Sequence, residues 1–180
     1  TNFDQIKAIH KFDTAVKALI YPLITQVETG LKNRTIDYLV TNSNPDIEAI
    51  FRDRLNGYKD YHKINDYKKY RQRLKERLDL RQNIDETIAY YYGKNDSLSH
   101  FIHNSRPIPL WGFFEAISFG QYGHFLSALN KKDRLELCDI IGLTHSGLNA
   151  DGRLLEQIVF ALTGLRNATM HNAPVYDANF

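Results

Sequence analysis

A single cysteine, Cys138, stands in the whole chain. No disulfide can therefore form within it, and a reducing cytoplasm is its expected compartment. Cys138 lies in Leu135-Glu136-Leu137-Cys138-Asp139-Ile140-Ile141, where a small buried hydrophobe fits better than a nucleophile. Without a cysteine pair, and with no His-Glu-x-x-His arrangement among seven histidines, no metal site is expected and no cofactor is called for. Glycine and proline are scarce, at 10 and 5 residues. No Gly/Ser-rich or Pro-rich linker divides the 180 residues, which read as one domain over residues 1–180. No apolar run reaches the roughly 18 residues that a membrane-spanning helix needs. The first residues, Thr1-Asn2-Phe3-Asp4, lack the basic and apolar regions of a signal peptide. They also lack an initiator methionine, which points to a processed or trimmed chain.

What is present is an apolar fraction of 43% with 24% charged residues, enough for a soluble domain with a real core. The apolar residues recur at helical spacing almost throughout. Ile6, Ile9, Phe12, Val16 and Leu19 predict an amphipathic helix over Phe3 to Ile20, broken or restarted at Pro22. A second helix is expected from about Leu23 to Thr41, burying Leu23, Val27, Leu31 and Leu39. Its polar side carries Glu28 and Lys32, an i,i+4 pair in the favourable order, as well as Asn33 and Arg34. Asn44-Pro45-Asp46 reads as a turn and cap before Ile47, Ile50, Phe51 and Leu55. Arg106-Pro107-Ile108-Pro109 imposes an extended approach to a helix holding Leu110, Trp111, Phe114 and Ile117. Asn130 should cap, and Gly142 end, a helix over Lys131 to Ile141; a long last helix should begin near Asp151. No strand pattern, hairpin turn or internal repeat occurs. The fold class is all-α, with Trp111, Phe114, Phe125, Ile158 and Leu162 expected in its core.

Charge is unevenly spread. Between Lys59 and Arg81, nine Lys/Arg face four Asp/Glu, so the window carries +5 while the whole chain is only +2. Tyr58, Tyr61, Tyr67 and Tyr70 are interleaved with these charges. A basic helix with aromatics suits an RNA backbone, with Lys68, Lys69, Arg71 and Arg73 as the candidate contacts. A solvated helix laced with ion pairs is the equal alternative.

The most chemically loaded stretch closes the last helix. Leu154, Leu155, Ile158, Val159, Leu162 and Leu165 form an apolar stripe, and Arg166-Asn167-Ala168-Thr169-Met170-His171-Asn172 then interrupts it. Arginine offers a permanent planar cation with five donors, and histidine exchanges a proton near neutral pH. Five residues at about 100° each place the two roughly 140° apart on an ideal helix. Pro174 disfavours helix at Ala173, so the helix should end around His171 or Asn172 and let the imidazole swing over its end. The plain alternative is a histidine favoured by the helix dipole beside a solvated arginine.

Two separated motifs carry a family resemblance. Pro109-Leu110-Trp111-Gly112-Phe113-Phe114-Glu115-Ala116-Ile117-Ser118-Phe119-Gly120 resembles the Pro-x-Trp-x-x-x-Glu-x-x-Ser-Phe-Gly signature of abortive-infection (Abi-like) proteins of the AbiD/AbiF type. About 45 residues on, Leu165 to Asn172 is similar to the Leu/Ile-Arg-Asn-x-x-x-His-His/Asn element of the same family, and Glu28 to Arg34 resembles its first core helix. The resemblance implies a HEPN-like helical bundle with accessory helices and a bacterial phage-defence role. It further implies pairing into homodimers and RNA cleavage without a metal. Many members continue well beyond the point where this chain stops, so the resemblance also allows for residues 1–180 being the N-terminal part of a longer protein.

The implied reaction is transesterification, the ribose 2′-OH attacking the adjacent phosphorus. His171 would serve as general acid or base, Arg166 would stabilise the phosphate, and Asn167 would orient phosphate or imidazole. Glu115, Glu28 and Lys32 are the supporting candidates, with Glu115 favoured because a carboxylate among aromatics needs a partner if buried. Two rival readings stand beside this one. One is a non-catalytic module that binds RNA or protein; the other is a toxin held by a protein or RNA antitoxin.

Overall fold

The computed structural model describes residues 3–41, 43–144, 146–171 and 174–175. Among them there is no strand, and the chain is all-α. The helices are α1 (Phe3–Thr41), α2 (Ile47–Asp53), α3 (Tyr58–Lys63), α4 (Tyr67–Tyr91), α5 (Asp96–His103), α6 (Leu110–Ala116), α7 (Phe119–Ala128), α8 (Lys131–Ile141) and α9 (Leu154–Met170). None is long and apolar enough to cross a membrane.

The expected break at Pro22 does not occur, for α1 runs through it as one 39-residue helix. A proline removes one backbone donor and crowds the preceding turn, a cost of about 3 kcal/mol. The half of α1 after Pro22 is fixed by packing, because Ile24, Leu31, Tyr38 and Leu39 are buried. That burial also shifts the expected register. Leu31 and Leu39 are buried as predicted, but Leu23 and Val27, also predicted inside, are exposed, and the buried face reaches back through Ile24 instead.

Aromatic side chains from α6 and α7 fill the centre. The ring of Phe114 meets Phe125 edge-on at 5.0 Å and Tyr122 at 5.7 Å, a geometry that aromatic quadrupoles favour. The Tyr122 hydroxyl donates to the Leu31 carbonyl (3.2 Å) and shares a 2.8 Å hydrogen bond with Thr35 Oγ1, which hooks α7 onto α1. Burial pushes its ionisation well above the usual tyrosine range, so the phenol keeps its proton. Ser118, between α6 and α7, caps α7 in a reciprocal pair with Gln121. Three core expectations need correction. Trp111 is 42% exposed, with its edge against Phe101, while Ile158 and Leu162 sit at the rim of the core. The buried apolar residues of α9 are Leu155 and Val159 because that side faces α7.

Loops are pinned by side chains. The Ile47 N–H donates to Ile108 O (3.0 Å) and the Leu110 N–H to Pro45 O (2.7 Å), so the prolines that force an extended approach also join α2 to α6. Arg77 lies flat over Phe51, 4.0 Å from the ring centroid, and donates to the carbonyls of Leu55 (2.6 Å) and Phe51 (3.0 Å). It belongs by sequence to the basic window, yet it serves as the stop for α2. Gly142, at φ 80°, closes α8 in the left-handed conformation that its Cα hydrogen permits. Between α8 and α9, Asn149 Oδ1 accepts the Leu154 N–H (2.9 Å), and buried Arg153 pairs with Glu156 (2.8 Å); together they set the start of α9.

Candidate functional site

The site forms where α9 crosses α1. Arg166, one turn before the end of α9, places its Nε 3.2 Å from Glu28 Oε2. The other Glu28 oxygen, Oε1, accepts from Lys32 Nζ at 2.9 Å, and the same ammonium donates to the Ile117 carbonyl at 2.8 Å. One carboxylate thus holds two cations, and the trio is left with a net charge of +1. Both Glu28 and Lys32 side chains are largely buried, at 14% and 13% exposure, so their pairing is less screened than a surface ion pair. The Arg166 side chain makes no other hydrogen bond or ion pair among the described residues. Its remaining donors face two clefts, of about 420 and 680 Å³, which share Glu28, Lys32, Glu115 and Arg166 in their walls. Tyr21 and Trp111 complete the first cleft; Tyr90, Tyr91 and Gln121 complete the second.

His171 follows the last turn of α9 as its C-cap, with its N–H on Asn167 O at 2.9 Å. Its side chain is exposed, and no hydrogen bond or ion pair links it to Arg166. The chain on either side of His171 is tied to α1. Arg166 meets Glu28 before it, and after it the Val175 N–H donates to Asp13 Oδ1 at 2.7 Å. The histidine is therefore held alongside α1, at a helix end as Pro174 suggested, but it lines neither of the two clefts. Asn167 is exposed beside it, and Asn172 lies outside the described residues.

The supporting carboxylates are placed differently from the expectation. Glu115 is exposed and holds no partner among the described residues, because α6 turns its aromatic side inward and leaves this position on the cleft wall. The guanidinium is met by Glu28 instead. The reason is tertiary: the buried face of α1 brings Glu28 and Lys32 beneath α9, and no local pattern records that crossing.

The basic candidates stand apart from this site. Lys68, Lys69 and Arg71 are exposed on the first turns of α4. Lys69 approaches Asp66 at 3.9 Å, whereas Arg73 is engaged by Glu76 (2.9 Å) and Ser127 (2.8 Å). The opposite end of α4 supplies Tyr90 and Tyr91 to the second cleft, about 33 Å further along at 1.5 Å per residue. No group of three or more His, Cys, Asp or Glu that could hold a metal occurs among the described residues.

The chain matches the Abi-like protein family over residues 1–177. It belongs to that family. No curated protein and no solved structure matches it. Membership points to abortive infection, the defence context that the two motifs suggested. The Abi-like signature also acquires a physical meaning here. Its tryptophan and glutamate, Trp111 and Glu115, are the two solvent-facing positions of α6 on the cleft beside Arg166, while its Ser118 caps the next helix. Sequence reasoning placed Trp111 in the core and did not find Tyr21, Tyr90 or Tyr91. The motif spacing carried a signal for Trp111 alone, since Trp111 and Glu115 are four residues apart and share one helix face.

Proposed function

We propose that this Abi-like protein is a HEPN-type endoribonuclease of phage defence that cleaves RNA by 2′-OH transesterification. The observation that supports it best is the state of Arg166. Glu28 fixes one edge of the guanidinium, Lys32 offsets the charge of that carboxylate, and the other edge faces open clefts five residues before an exposed histidine. A pre-oriented arginine loses less freedom on gripping a phosphate and can stabilise the charge that builds up on the phosphorane.

In the reaction the 2′-oxygen forms a bond to phosphorus as its proton leaves to a base. The bond from phosphorus to the 5′-oxygen breaks, and an acid protonates that oxygen. The products are a 2′,3′-cyclic phosphate and a 5′-OH. The nucleophile belongs to the substrate, so the protein need only move protons and hold charge. One chain supplies one histidine for two proton transfers, so a homodimer, with His171 of each copy taking one role, suits the chemistry. Asn167 would orient the phosphate or the imidazole.

The direct test is the product. An oligoribonucleotide treated with the purified protein in excess EDTA should yield 2′,3′-cyclic phosphate and 5′-OH ends. A single 2′-deoxy substitution at the cut should block the break. Cleavage that leaves a 3′-OH, or that EDTA abolishes, would exclude this mechanism.

The basic end of α4 is proposed as the RNA grip. Neutralising Lys68, Lys69, Arg71 and Arg73 together should lower the slope of log affinity against log salt by up to roughly 3, at about 0.7 for each single-stranded phosphate contact. Arg73 should contribute least, being already engaged by Glu76 and Ser127. An unchanged slope would assign these side chains to solvation alone.

A further inference from the structure

The first half of α1 bears an apolar face that no described element covers. Ile9, Phe12, Leu19, Leu23 and Val27 are 44%, 61%, 73%, 60% and 42% exposed, with Val16 partly exposed among them. From Ile9 to Leu23 the spacing is 3, 4, 3 and 4 residues. That is a 3.5-residue repeat, the seam along which one helix packs against another. The buried face of α1, marked by Asp13, Ile24 and Leu31, lies about a quarter-turn from the middle of this seam and is taken up by the chain's own body. Two faces of one helix are thus built for burial, and the fold fills only one.

We infer that this seam pairs with the same seam of a second copy of the chain, making α1 a dimerisation helix. The inference rests on exposure and spacing alone and holds whether or not the protein cuts RNA. Three observations favour a second copy over other occupants. First, the amount of surface fits. Six large side chains with roughly 100 Å² each to bury, spread over about 27 Å of helix, approach the ~800 Å² that each partner of a stable complex contributes. A monomer seldom leaves so large an apolar patch in water. Second, no charge stands at any seam position, so the surface complements itself under a two-fold axis. Exposed Ala8 and Ala15 flank it and let a second backbone approach. Third, a helix lying on a lipid surface needs a broad apolar face and a strongly basic opposite one. Here the seam is narrow, and Lys7, Lys11 and Lys17 are offset by Asp4 and Asp13. Because Glu28 and the chain around His171 are tied to the same helix, such a dimer brings the partner beside the candidate site.

Sedimentation of the whole chain tests this. The wild type should be a dimer across the micromolar range, and the double substitution Phe12→Glu with Leu19→Glu should weaken self-association by at least ~100-fold. The helical circular dichroism should be unchanged, since both side chains lie outside the core. The buried Cys138 gives no background, so Val16→Cys, at the middle of the seam, should form an intermolecular disulfide under mild oxidation in either orientation of the pair. A monomeric wild type overturns the inference. So does a dimer that survives the double substitution and yields no Val16→Cys cross-link, or a monomer that binds anionic phospholipid vesicles through this face.

Discussion

Replacing His171 by alanine should lower RNA cleavage by about 10²- to 10⁴-fold while RNA affinity changes by no more than a factor of about two. The expected separation follows from where the residue sits. His171 is exposed, and its only hydrogen bond among the described residues is a backbone N–H to Asn167 O that alanine keeps. Stability should therefore hold, and any lost rate reports lost proton transfer. Arg166→Ala should behave differently. It removes the phosphate-gripping cation and leaves Glu28 paired with Lys32 alone, so affinity and rate should fall together. A sharper version uses heterodimers with His171→Ala in one subunit. If acid and base come from different copies, activity should fall far below half; independent sites would retain about half. Cleavage by the His171→Ala protein at the wild-type rate would leave only the reading in which Arg166 and His171 bind RNA without cutting it.

Asp133→Ala should be among the most destabilising substitutions available in this chain, costing about 3–5 kcal/mol. Asp133 is fully buried at the start of α8, yet three side chains converge on it. Tyr38 from α1 donates to Oδ1 at 2.8 Å, Asn130 Nδ2 donates to Oδ2 at 2.7 Å, and Arg54 Nε lies 3.2 Å from Oδ2. Asn130 in turn accepts the backbone N–H of Asp133 at 2.9 Å. Burial, reinforced by Glu136 and Asp133, pushes the ionisation of Tyr38 far above the usual range, so the phenol stays a donor between two carboxylates. Alanine would leave the Arg54 cation without its carboxylate and a tyrosine with one acceptor fewer. Domains of this size hold only about 5–15 kcal/mol in total, so the urea midpoint should fall by about a fifth or more with the slope unchanged. Asp133→Asn keeps the shape but not the charge and should cost less. A midpoint shift equivalent to under 1 kcal/mol for the alanine variant would show that the network does not hold α1, α2 and α8 together.

Neither Asp133 nor Arg54 stands out in the sequence, because a buried charge looks like a surface charge until its partners are known. Asp133 is a first-turn acid in a helix with a Lys-Lys start, a position where acids are common for the helix dipole alone. The same limit applies to Arg77. Among nine positive residues in one window, nothing local marks the one that leaves the surface to stack on Phe51 and stop α2.

Much of the rest was determined locally and is legible residue by residue. Helical periodicity fixed the all-α class, since side chains three and four apart must share a face whatever they pack against. Caps and stops followed from single residues: Asn130 before α8, Gly142 after it, and Pro174 beyond α9. The order and spacing of the two motifs pointed to the Abi-like family, and the chain's match to that family agrees. Only the tertiary structure decided which apolar stripe is inside. In α1 the core kept Leu31 and Leu39 of the expected stripe but took Ile24 while leaving Leu23 and Val27 in solvent. Only the tertiary structure could carry α1 through Pro22, where packing outweighs one lost hydrogen bond. It also chose Glu28 over Glu115 as the partner of Arg166. The two residues are 138 positions apart, and contacts at that range depend on how helices cross, which no helical period encodes.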